Sequence, residues 1–266
     1  MFRRGRGYHK KDDEESKENK GGRSRGGRGG RGGGGRGRGG RGRGGDKPRR
    51  GRLTHFIALP VEDSEIITNL SDFQSSLLEQ YPDLLDKGWQ MGPGKFHFTF
   101  FVISLADEEH VERATQTMND LQPKLTEIIG ETKFEIELNG VDGFTGKWNN
   151  STRVLFAKVK QNENLDILKQ ITDTVIKGFI EDGVIKESDL DFQKLDPVTK
   201  MYNVNFHLTL FNTKYKRIKD KSSFDPTDIL DNYQDNNFGT FNANKITMFK
   251  MKSRDGKYET ETEIEF

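Results

Sequence analysis

The chain has no cysteine among its 266 residues. That excludes a disulfide framework, a thiolate nucleophile, thiolate-bound zinc and iron–sulfur clusters. Hydrophobic residues make up only 31%, and nowhere do about 18 apolar residues run together as a membrane-spanning helix needs. Residues 1–20 also lack the apolar core of a signal peptide. A soluble, intracellular protein with no membrane partner is expected. Histidine is scarce, at 5 residues, so the setting of each is informative.

Net charge is nearly absent too, at +1, but this is a cancellation. Residues 1–52 hold 19 Lys/Arg, 6 Asp/Glu and 19 of the 30 Gly, a net of +13, whereas residues 53–266 hold 24 basic and 36 acidic residues, a net of −12. From Gly21 to Gly45 the sequence is almost only Arg-Gly-Gly units, such as Arg25-Gly26-Gly27 and Arg28-Gly29-Gly30. Such a stretch has no side chains for a core, and its glycines lose the most entropy on ordering. It is read as a disordered Arg/Gly-rich (RGG) tail over 1–52. Its guanidiniums suit phosphates and unpaired bases, so RNA is the expected partner, in a salt-sensitive and largely sequence-blind way. The plainer reading is a solubilising linker or a methylation target. Arg-Gly arms occur in nuclear and cytoplasmic RNA proteins alike, and the nucleus is favoured here.

Residues 53–266 have the length of one large or two-lobed domain. Thr54 to Pro60 reads as a strand stopped by proline. Ser64 to Tyr81 follows as an amphipathic helix with Ile66, Ile67, Leu70, Phe73, Leu77 and Leu78 at helical spacing. After the turn at 91–94, Lys95 to Leu105 is rich in Phe, Val and Ile and reads as a strand. A helix is predicted from Asp107, as N-cap, to Ile129. The theme then repeats: strands at Lys133 to Val141 and Arg153 to Lys160, a helix at Asn164 to Glu181, and a strand at Phe206 to Phe211. Two last strands, Lys245 to Lys252 and Tyr258 to Phe266, flank Asp255-Gly256, a dipeptide typical of tight hairpins. The order argues for an α+β protein with two similar lobes.

One pattern occurs twice in matching context: Phe96-His97-Phe98-Thr99-Phe100, and Phe206-His207-Leu208-Thr209-Leu210, 110 residues later. Strand alternation puts His97 and Thr99 on one face with the phenylalanines on the other, and likewise separates His207 and Thr209 from their apolar neighbours. If both polar faces line one cleft, two imidazoles and two hydroxyls meet there. One neutral His can take a proton, a protonated one can give one, and the hydroxyls can hold phosphate oxygens, which together suffice for phosphodiester chemistry. An unperturbed pKa of about 6.5 suits imidazole to both roles. A single His-x-Thr would more plainly be a half-buried strand histidine. No H-E-x-x-H or P-loop pattern appears, so no cofactor and no metal are expected.

With its first strand at 54–60, its two His-x-Thr motifs and the stretch from Lys95 to Glu112, the chain resembles the 2H phosphoesterase superfamily. Within it, the resemblance is to the 2′,5′ RNA ligase-like branch found in A-kinase anchor proteins and an activating-signal-cointegrator subunit. It covers nearly all of 53–266. It implies a bilobal fold of two pseudo-symmetric β/α lobes around a central cleft. It further implies action on 2′,3′-cyclic phosphates or 2′,5′-linked oligonucleotides, or binding of a nucleotide such as AMP, with His97, Thr99, His207 and Thr209 as the site residues. The Arg-Gly arm stands where the cointegrator subunit would carry a KH domain, and no C-terminal amphipathic anchoring helix follows the last strand. No kinase anchoring is therefore expected, and RNA or an RNA-processing complex is the expected company.

Phe144 and Trp148, in a loop read over Gly140 to Asn150, and Tyr202 are candidates to stack a base, although aromatics near strand ends are more often core. His55 lacks a Thr two places on and reads as a strand-end histidine. His110, on a charged helix, and His9, in the arm, are not catalytic candidates, and Lys95 and Lys200 could pair with phosphate but read more plainly as ordinary solvated lysines. Two other readings of the whole remain: a nucleotide- or RNA-end-binding adaptor without turnover, and a structural domain whose arm carries all function.

Overall fold

A computed structural model describes residues 52–266 except 132, 147–149, 191, 192 and 220. The expected disordered tail, apart from Arg52, and Trp148 lie outside the described residues. The first part of the described chain runs β1 (His55–Pro60), α1 (Ser64–Gln80), β2 (His97–Ile103), α2 (Glu108–Ile129), β3 (Glu135–Gly143), β4 (Val154–Val159) and α3 (Glu163–Glu181). Two short strands follow, β5 (Lys194–Leu195) and β6 (Tyr202–Asn203), then β7 (His207–Asn212), α4 (Thr227–Tyr233), β8 (Asn237–Asn242), β9 (Lys245–Arg254) and β10 (Lys257–Glu265).

The three long helices start where side chains can take up free backbone N–H groups. Asp63 accepts from Glu65 and Ile66, Asp107 from His110, and Asn162 from Leu165. Asp255 and Gly256 both have positive φ, 50° and 79°, as the tight turn joining β9 to β10 requires.

The strands form two four-stranded antiparallel sheets, ordered β10-β9-β1-β2 and β7-β4-β3-β8, and a separate two-stranded one of β5 and β6. The fold is thus α+β with two β/α lobes. The lobes are not the two halves of the chain, however. The C-terminal hairpin completes the first sheet, with His55 to Ala58 of β1 paired to Lys250 to Thr247 of β9. The helices cross over as well. From the first strand, α1 reaches the second sheet, where Asn69 Nδ2 donates to the Phe238 carbonyl at 2.9 Å. From β4, α3 leans on the first sheet through Phe179, whose ring lies 5.3 Å from that of Phe101. The structural repeat is therefore strand–helix–strand, β1-α1-β2 against β4-α3-β7, with the helices exchanged between sheets. Trp89, Phe98, Phe100, Phe101, Phe179, Phe211 and Phe238 fill the shared core.

β3 runs to Gly143, so the loop read from Gly140 begins later than expected. Gly140 itself sits inside the strand at φ 84°, and a Cβ there would fall 2.0 Å from the Gln234 carbonyl oxygen. α4 and β8 carry no clear sequence signal. β8 (NFGTFN) lacks β-branched residues but for one threonine and bends at Gly239, φ 108°. Among the described residues no helix is long and apolar enough to cross a membrane.

Candidate active site

The two His-x-Thr strands occupy facing edges of the two sheets, β2 and β7, which lie against each other. Burial along each follows the expected alternation, with His97 and Thr99 half-buried beside fully buried Phe98, and His207 and Thr209 half-buried beside Leu208. Alternation then breaks at the same place in both copies. Ile57 pairs with Phe101 but Ala58 with Thr99, and Leu155 pairs with Phe211 but Phe156 with Thr209, so Phe100 and Leu210 are bulged out of register. Each bulge buries two consecutive apolar residues, Phe100-Phe101 and Leu210-Phe211.

Displaced from the ladder, each bulged residue offers its carbonyl to a glutamine of the other repeat. Gln74, on α1, donates from Nε2 to the Leu210 oxygen at 2.7 Å, and Gln193, which follows α3, donates to the Phe100 oxygen at 2.8 Å. The Met91 N–H also donates to the Leu210 oxygen at 2.8 Å. These crossed bonds tie the two motif strands to each other.

The imidazoles are held alike. His97 Nδ1 lies 2.7 Å from the Lys95 carbonyl and His207 Nδ1 lies 2.8 Å from the Asn205 carbonyl, each two residues back. A carbonyl only accepts, so Nδ1 carries the proton in both rings and Nε2 of the neutral form holds the free lone pair. Neither Nε2, nor the Thr99 or Thr209 hydroxyl, has a hydrogen-bond partner among the described residues. Phe56 at 5.0 Å and Tyr258 at 5.6 Å flank the His97 ring. Phe144 at 4.9 Å and Phe156 at 5.4 Å flank that of His207.

Burial pushes His97 down from 6.5 to about 4, with the charges of His207 and Lys214 adding to the effect and the Lys95 carbonyl opposing it. Burial also lowers His207, again assisted by Lys214 and opposed by the Asn205 carbonyl. The His207 charge is thus felt at the His97 ring.

Phe144, 42% exposed, stands edge-on to His207 and lies 4.7 Å from the Phe156 ring. Tyr202 is a correction. It is 7% exposed, with its backbone N–H bound to Asp173 on α3, so it belongs to the packing of β6 on that helix and offers no ring face to a base. His55 is buried on β1 between Thr54 Oγ1 at 2.9 Å and Glu261 Oε2 at 3.3 Å, away from the cleft. His110 lies in the first turn of α2 against Asp107. Lys200 sits in the β5–β6 connection at φ 56°. Lys95 lines the pocket that holds His97. Its Nζ donates to Ser253 Oγ at 3.0 Å and lies 5.4 Å from the Tyr258 ring centroid. Sequence reasoning missed Tyr258, Lys214 and Tyr215. The only available signals were a tyrosine two residues past the Asp-Gly turn and a Lys-Tyr-Lys run just beyond the second motif. Among the described residues no group of three His, Asp or Glu side chains is placed to hold a metal ion.

The family model of the AKAP7 2′5′ RNA ligase-like domain matches residues 53–266. Human A-kinase anchor protein 7 isoform gamma is 23% identical over 216 residues, covering 79% of this chain and 56% of that protein. Mouse activating signal cointegrator 1 complex subunit 1 is 22% identical over 221 residues, covering 74% of this chain and 58% of that protein. The chain thus spans little more than half the length of these relatives. Among solved structures, TT0787 of Thermus thermophilus aligns with a TM-score of 0.48 at 15% identity, over 80% of this chain and 97% of that one. E. coli LigT complexed with 3′-AMP aligns with a TM-score of 0.45 at 11% identity, over the same 80% and 97%. By the match over 53–266, the chain belongs to the AKAP7 2′5′ RNA ligase-like domain family.

Proposed function

We propose that the chain is a metal-independent phosphodiesterase acting on 2′,3′-cyclic phosphate or 2′,5′-linked RNA or oligonucleotide ends. The observation that supports this most is the pair of imidazoles on facing strands, each fixed by a carbonyl at Nδ1, with Nε2 and the threonine hydroxyl two residues on unpartnered among the described residues. Family membership supports phosphodiester chemistry in general. In the hydrolytic step, water attacks phosphorus while Nε2 of one neutral His takes its proton. The P–O bond to the leaving ribose oxygen breaks, and that oxygen takes a proton from the other, protonated His. The threonine hydroxyls donate to non-bridging oxygens as charge builds on them. His97 and His207 share these two roles.

The Arg/Gly-rich tail, at +13 against −12 for the rest, is assigned the holding of RNA. The assay is a panel of 2′,3′-cyclic nucleotides and 2′,5′-oligoadenylate, run with and without chelator on the wild type, His97→Ala and His207→Ala. Turnover that survives chelator and falls on the order of 10² or more in each variant is expected. Full turnover in His97→Ala would sink the assignment. One observation favours the alternative, a nucleotide-binding adaptor without turnover: both imidazoles are held below their ordinary range, which starves the acid of its proton near neutral pH. Binding of AMP with no product from any member of the panel would establish that reading instead.

A further inference from the structure

His97 lines a pocket of about 380 Å³, within the roughly 300–1,000 Å³ of small-ligand sites and larger than one phosphoryl group needs. Three segments far apart in the chain wall it: the end of β1, the single 3₁₀ turn Pro93–Lys95 just before the first motif, and the β9–β10 hairpin through Phe249, Lys257 and Tyr258. The hairpin is docked on that turn. A Cβ at Gly94 would fall 2.8 Å from Lys257 Cγ and 3.1 Å from the Gly256 carbonyl oxygen, so the bare glycine is what lets the hairpin tip and the Lys257 stem come this close. From the opposite wall Lys95 reaches back, its Nζ donating to Ser253 Oγ at 3.0 Å and lying 5.4 Å from the Tyr258 ring centroid. Tyr258 in turn stands edge-on to the His97 ring at 5.6 Å. One tyrosine thus meets both the imidazole and the Lys95 ammonium, and two lysines border the pocket that holds the first motif histidine.

The charge of this pocket runs against that of its surroundings. Residues 53–266 carry a net −12, yet neither Lys95 nor Lys257 has a carboxylate partner among the described residues. The acidic residue in the lining, Glu62, is taken by Lys245 at 2.9 Å, and Asp255 in the hairpin turn faces Arg254 at 3.9 Å. The other walls, among them Pro60, Val61 and Phe249, are apolar and suit a ribose and base rather than an anion alone. We propose that the pocket takes the nucleoside whose 2′- or 3′-phosphate lies at His97, with Lys95 and Lys257 binding a second phosphate on the 5′ side of that nucleoside. The inference rests on the reading of His97 as part of a phosphoester site. It narrows the substrate from a bare cyclic mononucleotide to one carrying a 5′-phosphate, either terminal or as the linkage to the rest of an oligonucleotide. Each lysine supplies a charge-assisted hydrogen bond, the strong class.

The test uses probes that need no turnover: adenosine 3′-monophosphate, adenosine 3′,5′-bisphosphate, and the adenosine dinucleotide ending in a 3′-phosphate. Affinities are measured by calorimetry on the full chain as wild type, Lys95→Met, Lys257→Met and Lys257→Arg, and the His97 Cε1–H resonance is followed by NMR to place each probe. The wild type should bind the bisphosphate or the dinucleotide about tenfold or more tighter than the monophosphate. Which of the two gains more separates a terminal phosphate from an internucleotide one, and either supports the site. Lys95→Met and Lys257→Met should each shrink the preference about threefold or more while the His97 resonance still responds, and Lys257→Arg should keep most of it. Equal affinity for all three probes in the wild type, a preference that both Met variants retain, or a His97 resonance that no probe moves overturns the inference. Failure of the hydrolase reading looks different. A lysine-dependent preference without turnover of any cyclic nucleotide removes the hydrolase and leaves this subsite. Turnover that needs His97 with no lysine-dependent preference does the reverse.

Discussion

Gln74 offers the sharpest test of how the cleft is held together. Its side chain is fully buried, at 0% exposed, and donates to the Leu210 and Met91 carbonyls at 2.7 and 3.1 Å while its Oε1 accepts from Gln90 at 3.2 Å. Gln74→Met preserves volume and opens no cavity, so the perturbation is confined to hydrogen bonding. The Leu210 oxygen keeps the Met91 N–H, but the Met91 carbonyl and the Gln90 amide lose this partner in a site with little access to water. Orphaned buried polar groups cost about 1–3 kcal/mol each, so a loss of about 3 kcal/mol is expected. For a folded region of this size that lowers the thermal midpoint by roughly 6–12 °C. Gln193, the counterpart across the pseudo-dyad, is itself half-buried, but its partner is the carbonyl of fully buried Phe100. Gln193→Met should therefore cost about 1–3 kcal/mol, or roughly 2–12 °C. The assay is calorimetry or circular dichroism on both variants. An unchanged midpoint in either variant would refute the idea that crossed carbonyl bonds to the bulges secure the motif strands.

Two other perturbations bear on the same geometry. His97 has a folded-state value of about 4 against an ordinary 6.5, so between those pH values the unfolded chain binds the extra proton more readily. Its share of stability is complete above about pH 6.5 and is lost as pH falls toward 4. His97→Asn should flatten the fall in thermal midpoint across that window, and an identical pH profile in wild type and variant would contradict the assigned burial. Gly140→Ala places a methyl at a positive φ against the Gln234 backbone carbonyl, which cannot give way as the nearby Lys158 side-chain end can. A loss of about 3 kcal/mol or more is expected in urea unfolding, and a midpoint within error of wild type would count against the β3 geometry.

The sequence made the faces of the motif strands legible, because alternation is a local property. Phe98 and Leu208 point one way, and His97 and His207 the other, whatever the rest of the chain does. The bulges were also present in the residues, as the doublets Phe100-Phe101 and Leu210-Phe211, but a doublet alone does not distinguish a bulge from a strand buried on both faces. The lobes were harder. That β1 pairs with β9, and that α1 serves the second sheet, depends on contacts between residues far apart in the chain, for which periodicity carries no signal.

The pairing of the first strand with the C-terminal hairpin has a consequence for biosynthesis. His55 leaves the ribosome almost 200 residues before its neighbour Lys250 is made, so the sheet that carries His97 cannot close while translation is under way. Its apolar edge must wait, shielded or aggregation-prone, until the last strands emerge. Premature termination anywhere before residue 245 would therefore unseat the first motif histidine rather than merely trim the far end of the protein.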